Sequence, residues 1–294
     1  MRDSRPCSDQ SVERGDPMFG TASAGHRWLL LELAGPWGPS VFLNSPSVID
    51  PALGRSIVRR VEATGMRIVA IRRPGRRPPV PRWRWFIAEA QPGAERLYAG
   101  EVEGPADYLD LDLQGFDGAP TADPLVAICA HGKHDQCCAV RGRRAVAAIA
   151  DAYPEWTWEC SHLGGDRFAA TMLLLPHGLC YGRVDTTDDP AGIVAAYTEG
   201  RLVDALLRGR TSLPHPVQAA QHFVRQATGD AAIDALAPID VDKRDHQIHV
   251  RLDGPAGPID VTLAEHMSDP LLSMCTASVP GRVRQFVLVS IEGL

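Results

Sequence analysis

The 294-residue sequence contains no apolar run approaching the roughly 18 residues that a membrane span requires. Its first twenty residues are polar and charged, without the apolar centre of a secretory signal. Both absences lead to the expectation of a soluble, cytoplasmic chain with no membrane partner. A basic excess is missing too: 36 Asp and Glu stand against 30 Lys and Arg, for a net charge of -6. That balance argues against a general nucleic-acid binder, whose domains are usually strongly basic. No C-x2-C pair occurs among the seven cysteines, so the knuckle spacing of a structural zinc site is lacking. An odd, clustered set of thiols in a reducing compartment does not suit a disulfide framework and points to metal or redox chemistry. No internal repeat and no long low-complexity segment is visible.

What is present is concentrated at two neighbouring points. "CAHGKHDQCCAVRG" (129–142) holds Cys129, Cys137, Cys138, His131 and His134, and "WECSHLGGDRF" (158–168) adds Cys160, His162 and Asp166. Thiolates and imidazoles bind zinc and iron–sulfur clusters, and iron–sulfur clusters need the soft thiolates. "LVAICA" reads as a strand ending at Cys129, and a helix is expected over Arg143–Tyr153, its stripe formed by Val146, Ile149, Ala150 and Tyr153. Cys129 and Cys138 then lie at a strand's C-terminal end, where α/β proteins commonly hold ligands. "WTWEC" brings His162 to a second strand end, and Gly164-Gly165 lets backbone come close to whatever sits there. The fourth donor is open among Cys137, Asp166, Cys160 and His131. The two C-x-H triplets, Cys129/His131 and Cys160/His162, offer a Rieske-type set as a second choice. Cys180 and Cys275 stand apart and read as core.

Elsewhere, residues 1–25 read as a disordered or loosely docked arm. Asp50-Pro51 starts a helix that buries Leu53, Ile57, Val58 and Val61, and Asp189-Pro190 starts another, carrying Ile193, Tyr197 and Val203. Strands alternate with helices from 125 to 207, which predicts an α/β domain in an order that fits a thioredoxin-like arrangement. "RTSLPHP" (210–216) reads as a linker. Beyond it come a helix near 216–228 and a small β region, in which Ile248, Val250, Leu252 and Ile259, Val261, Leu263 alternate around "DGPAGP". The expected organisation is therefore an arm (1–20), a thioredoxin-like α/β domain (21–209) and an α+β extension (210–294). The stretch 72–86 interleaves six arginines with Trp83, Trp85 and Phe86. That composition suits anion or nucleic-acid binding, although the acidic remainder of the chain argues against nucleic acid.

"CAHGKHDQCCAVRGR" with "WECSHLGGDRFAATMLLLPHGLCYGRV", and the opening "GTASAGHRWLLLELAGPWG", resemble the sucrase/ferredoxin-like family of thioredoxin-like [2Fe–2S] ferredoxins, over roughly residues 15–207. The resemblance implies one [2Fe–2S] cluster with mixed Cys/His ligation and an electron carrier rather than a stand-alone enzyme. The family's C-x8-C pair falls on Cys129 and Cys138. Of the H-x-G-G-H motif of its eukaryotic members, the first histidine falls on His162, but Asp166 occupies the second position. Asp166 is then a ligand, or Cys137, the softer donor, gives a three-Cys, one-His centre, or the cluster has been lost. The sequence offers no carboxylate pair placed for sucrose hydrolysis. A thiol-dependent oxidoreductase using Cys137 or Cys138 and a zinc-stabilised binding module are the alternatives. Lys133, Arg141, Arg143, Arg144 and Arg167 would form a rim for an acidic redox partner.

Overall fold

The computed structural model describes residues 5–75, 82–114 and 118–294. In chain order these form α1 (Cys7–Glu13), β1 (Arg27–Glu32), α2 (Pro51–Glu62), β2 (Arg67–Arg72), β3 (Trp83–Glu89), β4 (Arg96–Val102), β5 (Ala119–Pro120), β6 (Leu125–Cys129), α3 (Arg143–Ala152), β7 (Thr157–Cys160), β8 (Met172–Leu175), β9 (Leu179–Tyr181), α4 (Ala191–Thr198), β10 (Leu207–Arg210) and α5 (His215–Thr228). The strands β11 (Ala237–Arg244), β12 (Gln247–Gly254), β13 (Gly257–Met267) and β14 (Arg284–Glu292) follow. The fold is mixed α/β. One ten-stranded sheet has the order β10-β9-β8-β6-β7-β2-β1-β3-β4-β5, and β11 to β14 form a separate four-stranded sheet. No described helix is long and apolar enough to cross a membrane.

The large sheet contains a repeat that the sequence pattern does not reveal. In β1-α2-β2-β3-β4 the first two strands are parallel neighbours, the third pairs antiparallel with the first, and the fourth with the third. The segment β6-α3-β7-β8-β9 has the same connectivity and the same pairing directions. The two units meet through their second strands, which run antiparallel with Ile71 opposite Cys160 and Arg72 opposite Glu159. Only topology is repeated, so a search for recurring residues finds nothing.

Alternation along the strands separates two faces. Leu29, Leu31, Ile57 and Val61 join α2 to one unit, while Val126, Ile128, Val146, Ile149, Ile193 and Val194 join α3 and α4 to the other. The opposite face carries Trp28, Leu30, Val69, Ile71, Cys129, Trp158 and Cys160. Asp50 caps α2 as expected, its carboxylate accepting from the N–H groups of Ala52 and Leu53 at 2.9 and 3.0 Å. On α4 the predicted face carries Ile193 and Tyr197, but Val203 lies beyond the helix end. The alternating residues of β12 and β13 point into a fourth core against Val217, Ala220 and Val224 of α5. Each such aliphatic side chain contributes about 1.5–3 kcal/mol on burial.

Three local expectations differ from the structure. The N-terminal segment contains α1, with Cys7, Ser8, Gln10 and Ser11 buried against the rest of the chain. Its polar side chains have partners that composition does not disclose. Residues 210–213 are buried rather than a free linker, and Arg210 ends β10 in an ion pair with Glu95. In the arginine-rich stretch, residues 76–81 lie outside the described residues. Of the remainder, Arg72 pairs with Glu159 at 2.6 Å, Arg84 with Glu32 at 2.7 Å, and Arg73 lies 3.8 Å over the ring of Trp158. These three arginines are spent on partners within the same chain.

Gly142 is the tightest junction beside the strand ends. A Cβ there would lie 2.0 Å from the Cys129 carbonyl oxygen, so only glycine lets the helix start rest on the end of β6. Gly142→Ala should therefore cost about 1–3 kcal/mol of unfolding free energy by overpacking. Denaturant unfolding checks this, and a loss below about 0.5 kcal/mol would show that the junction yields.

Candidate metal centre

The site is built where the parallel strands β6 and β7 end side by side, with Cys129 opposite Cys160. All five residues of β6 are buried, so Cys129 is delivered to a dry end of the sheet. The chain then turns at His131, whose carbonyl accepts from the N–H groups of His134 and Asp135 at 3.0 and 3.2 Å. The buried Asp135 accepts from the Cys137 N–H at 2.7 Å and so holds the residue that precedes the next element, a π-helical turn over Cys138–Gly142 that runs into α3. Cys138 and Gly142 are four residues apart and share a helix face. The contact of Gly142 with Cys129 thus turns Cys138 toward Cys129.

After β7, Ser161 is pinned to β2. Its N–H donates to the Ala70 carbonyl at 2.8 Å, and its hydroxyl accepts from the Ala70 N–H at 3.0 Å. His162 follows, then Gly164 and Gly165 with φ of 92° and 85°, the left-handed region that favours glycine. The close neighbour that the glycine pair admits belongs to the chain itself. A Cβ on Gly165 would meet the Arg208 guanidinium at 2.5 Å, and Arg208 donates to the Gly164 carbonyl at 2.8 Å. This clamped turn places Asp166 under His162.

Cys129, Cys138 and His162 bring their donor atoms within 4.8 Å of one another. Asp166 joins them: its Oδ1 accepts from the Cys138 thiol at 3.3 Å and lies 3.2 Å from His162 Nδ1. That nitrogen is buried and makes no hydrogen bond of good geometry, as suits a donor turned toward a ligand. His134, which sequence reasoning passed over, stacks on the His162 ring at 3.8 Å between centroids and sets its Nε2 3.8 Å from Asp166 Oδ2. Its spacing from the cysteines carried no signal, because a turn brings it back over the site.

The other candidates go elsewhere. Cys137 is turned away from Cys138 and meets Cys7 and Cys275, its sulfur 3.6 and 3.2 Å from theirs. Cys275, expected to stand alone in the core, is half-buried in this second group of thiols. His131 contacts the Gly38 carbonyl oxygen through Nε2 at 2.7 Å and sets its ring edge on Trp37. Cys160 is fully buried in the sheet core, and burial raises its thiol pKa. Among the described residues neither it nor His131 enters a group that could hold a metal ion. The two C-x-H triplets therefore do not converge as pairs.

The electrostatics separate the two thiols of the site. A hydrogen bond from Cys138 outweighs burial and, with His162 nearby, holds Cys129 well below the usual thiol range. The same hydrogen bond, followed by burial and by Asp166, pushes Cys138 up. Burial acts to lower His162, but Asp166 and Cys129 outweigh it and raise the imidazole to about 9. Asp166 is held below the usual carboxylate range because His162, Cys138 and His134 overcome its burial. Without a metal these shifts favour the anionic forms of Cys129 and Asp166 and the protonated form of His162. A cation must displace protons from Cys138 and His162.

A family model described as sucrase/ferredoxin-like matches residues 18–209 of the chain. No curated protein and no solved structure matches it.

In the metal-free protein, the His162 ring protons should titrate with a midpoint near 9, followed by NMR and assigned with His162→Gln. Asp166→Asn removes a charge that favours the imidazolium, so the midpoint should fall. An unchanged midpoint would place the source of the shift elsewhere. Because metal and proton compete for the ring, affinity for a divalent probe should rise from neutral pH up to about 9.

Proposed function

Because the chain belongs to the sucrase/ferredoxin-like family, we propose that it is an electron-transfer protein whose Cys129, Cys138, His162 and Asp166 hold one [2Fe–2S] cluster. The observation that carries this reading is the convergence of two thiols and an imidazole at adjacent strand ends, with the Asp166 carboxylate against Cys138 and His162. The thiols suit iron, and an imidazole is a known replacement for thiolate on one iron of such centres. The unit β6-α3-β7-β8-β9-α4 supports the finer reading of a thioredoxin-like domain, with its first two strands parallel and the next two antiparallel on the other side. Of the four candidates for the fourth donor, the geometry favours Asp166, since Cys137 turns to a different group and Cys160 and His131 enter none among the described residues.

A [2Fe–2S] cluster, when bound, supplies the gain and loss of one electron. The chain's own residues decide how that electron is coupled to protons and partners. His162 is 32% exposed in its side chain, so its ring can exchange a proton with solvent or a docked protein. Asp166 sets the charge beside that ring, and His134 stacks on its face. Lys133, Arg143 and Arg144 are exposed on the loop and helix start that follow Cys129 and suit an acidic redox partner. Arg141 and Arg167 do not contribute to this rim: Arg141 pairs with Asp9 and Asp185, and Arg167 is buried near Asp16. One observation favours thiol chemistry instead. A hydrogen bond from Cys7 outweighs burial and holds Cys137 down at about 6. Yet Cys137 is only 2% exposed, which closes it to a substrate.

Anaerobically purified protein should be red-brown, with two iron and two sulfide per chain and a rhombic electron paramagnetic resonance signal after dithionite reduction. Colourless, iron-free protein after reconstitution would sink this reading. Asp166→Ala should lose iron, whereas Cys137→Ser should retain it. His162→Cys should lower the potential and flatten its pH dependence, because thiolate replaces a ligand that takes up protons. Reduction by an acidic partner should slow as salt is raised.

A further inference from the structure

We propose that Cys7, Cys137 and Cys275, with the Asp135 carboxylate, form a second metal centre. It is a mononuclear zinc(II) site that ties the N-terminal helix and the β13–β14 connection to the loop carrying Cys138. The three sulfurs form a nearly closed triangle, with Cys7–Cys137 at 3.6 Å, Cys137–Cys275 at 3.2 Å and Cys275–Cys7 at 3.6 Å. A tetrahedral zinc with bonds of about 2.3 Å to sulfur separates its thiolates by about 3.8 Å. The triangle is therefore a few tenths of an ångström from the size a single ion requires. A polynuclear cluster attaches its thiolates to different metal ions and spreads them further. A disulfide would bring two of the sulfurs to about 2.0 Å and leave the third thiol without a role.

The surroundings suit thiolates around a cation. The Cys7 N–H points at Cys275 Sγ at 3.5 Å. Asp135 accepts from the N–H of Cys137 through Oδ1 and from that of Cys275 through Oδ2, both at 2.7 Å. Each carboxylate oxygen keeps a lone pair for a metal, and its donor atom lies within 4.8 Å of the three sulfurs. Cys7 and Cys137 are buried, and Cys275 is half-buried. Three thiols and a carboxylate packed together away from water offer a divalent ion a dry donor set, and the ion binds by displacing the thiol protons.

This centre is not implied by the family match, which spans residues 18–209 and so includes Cys137 but neither Cys7 nor Cys275. Nor does it depend on the [2Fe–2S] reading. The adjacent thiols of Cys137 and Cys138 serve one centre each. Holding Cys137 would fix the cap of the π-helical turn and with it the position of Cys138. Because the ligands come from segments 130 and 138 residues apart, binding would also close long loops of the chain and add to its stability.

Cobalt(II) titration of the full-length, reduced chain tests the proposal, with the first site removed by Cys129→Ala/Cys138→Ala. One cobalt per chain should bind, with the visible bands of tetrahedral cobalt and thiolate charge-transfer bands in the ultraviolet. Adding Cys275→Ser should weaken binding at least about tenfold. Absence of these bands in the folded double variant, or their persistence unchanged with Cys275→Ser, would overturn the zinc centre. So would a Cys137–Cys275 disulfide in protein purified without metal. If the double variant does not fold, zinc content decides between the wild type and Cys275→Ser alone. One zinc fewer per chain supports the site, and equal zinc overturns it. Loss of the iron signal in the wild type with cobalt binding intact would count against the ferredoxin reading only.

Discussion

The buried carboxylate of Asp135 is the constraint on which the functional end of the molecule depends. A charge placed away from water must be met by donors, and this one is met by the backbone N–H groups of Cys137 and Cys275. The first of these bonds starts the π-helical turn, which sets Cys138 beside Cys129 and Asp166. The second draws a loop of the C-terminal sheet onto the same spot. One carboxylate thereby positions two groups of thiols, whose contacts continue through Asp166 and His162 on one side and Cys7 on the other.

The repeated topology explains why the chemistry lies on one half of the large sheet. The first strand of each unit ends at an equivalent place, at Glu32 in β1 and at Cys129 in β6. Glu32 is buried and neutralised by Arg84, so that strand end is closed by an ion pair. Cys129 meets a thiol and an imidazole, each of which contacts Asp166. The same backbone arrangement thus serves as a structural joint in one copy and as a donor cluster in the other. Trp158 sits near the junction of the two units with Arg73 and Arg84 over its ring at 3.8 and 4.8 Å. The arginine and tryptophan content of residues 72–86 reflects this packing in its described part.

Much of the local structure was legible because it rests on short-range chemistry. Asp50-Pro51 capped the helix it was expected to cap, and Val146 and Ile149 marked the buried face of α3. The period-two pattern in residues 247–263 matched the buried face of its sheet. What escaped depended on distant partners. The polar start of the chain forms α1 because Arg141 reaches Ser8 and Asp9 from another element. The residues read as a linker at 210 are buried because Glu95 and Gln218 meet them.

The sequence by itself determined that two thiols and an imidazole would meet at neighbouring strand ends. That follows from strand periodicity, the short loop and the glycine turn, all local properties of residues 125–168. Only the tertiary structure decided which further donors join them. Cys137 and Cys138 are adjacent in the chain, yet a helical turn points adjacent side chains about 100° apart and sends them to different groups. Cys7 and Cys275 lie more than a hundred residues from Cys137. No spacing rule reaches that far, because their meeting depends on how the N-terminal helix and the C-terminal sheet pack, not on any property of the intervening sequence.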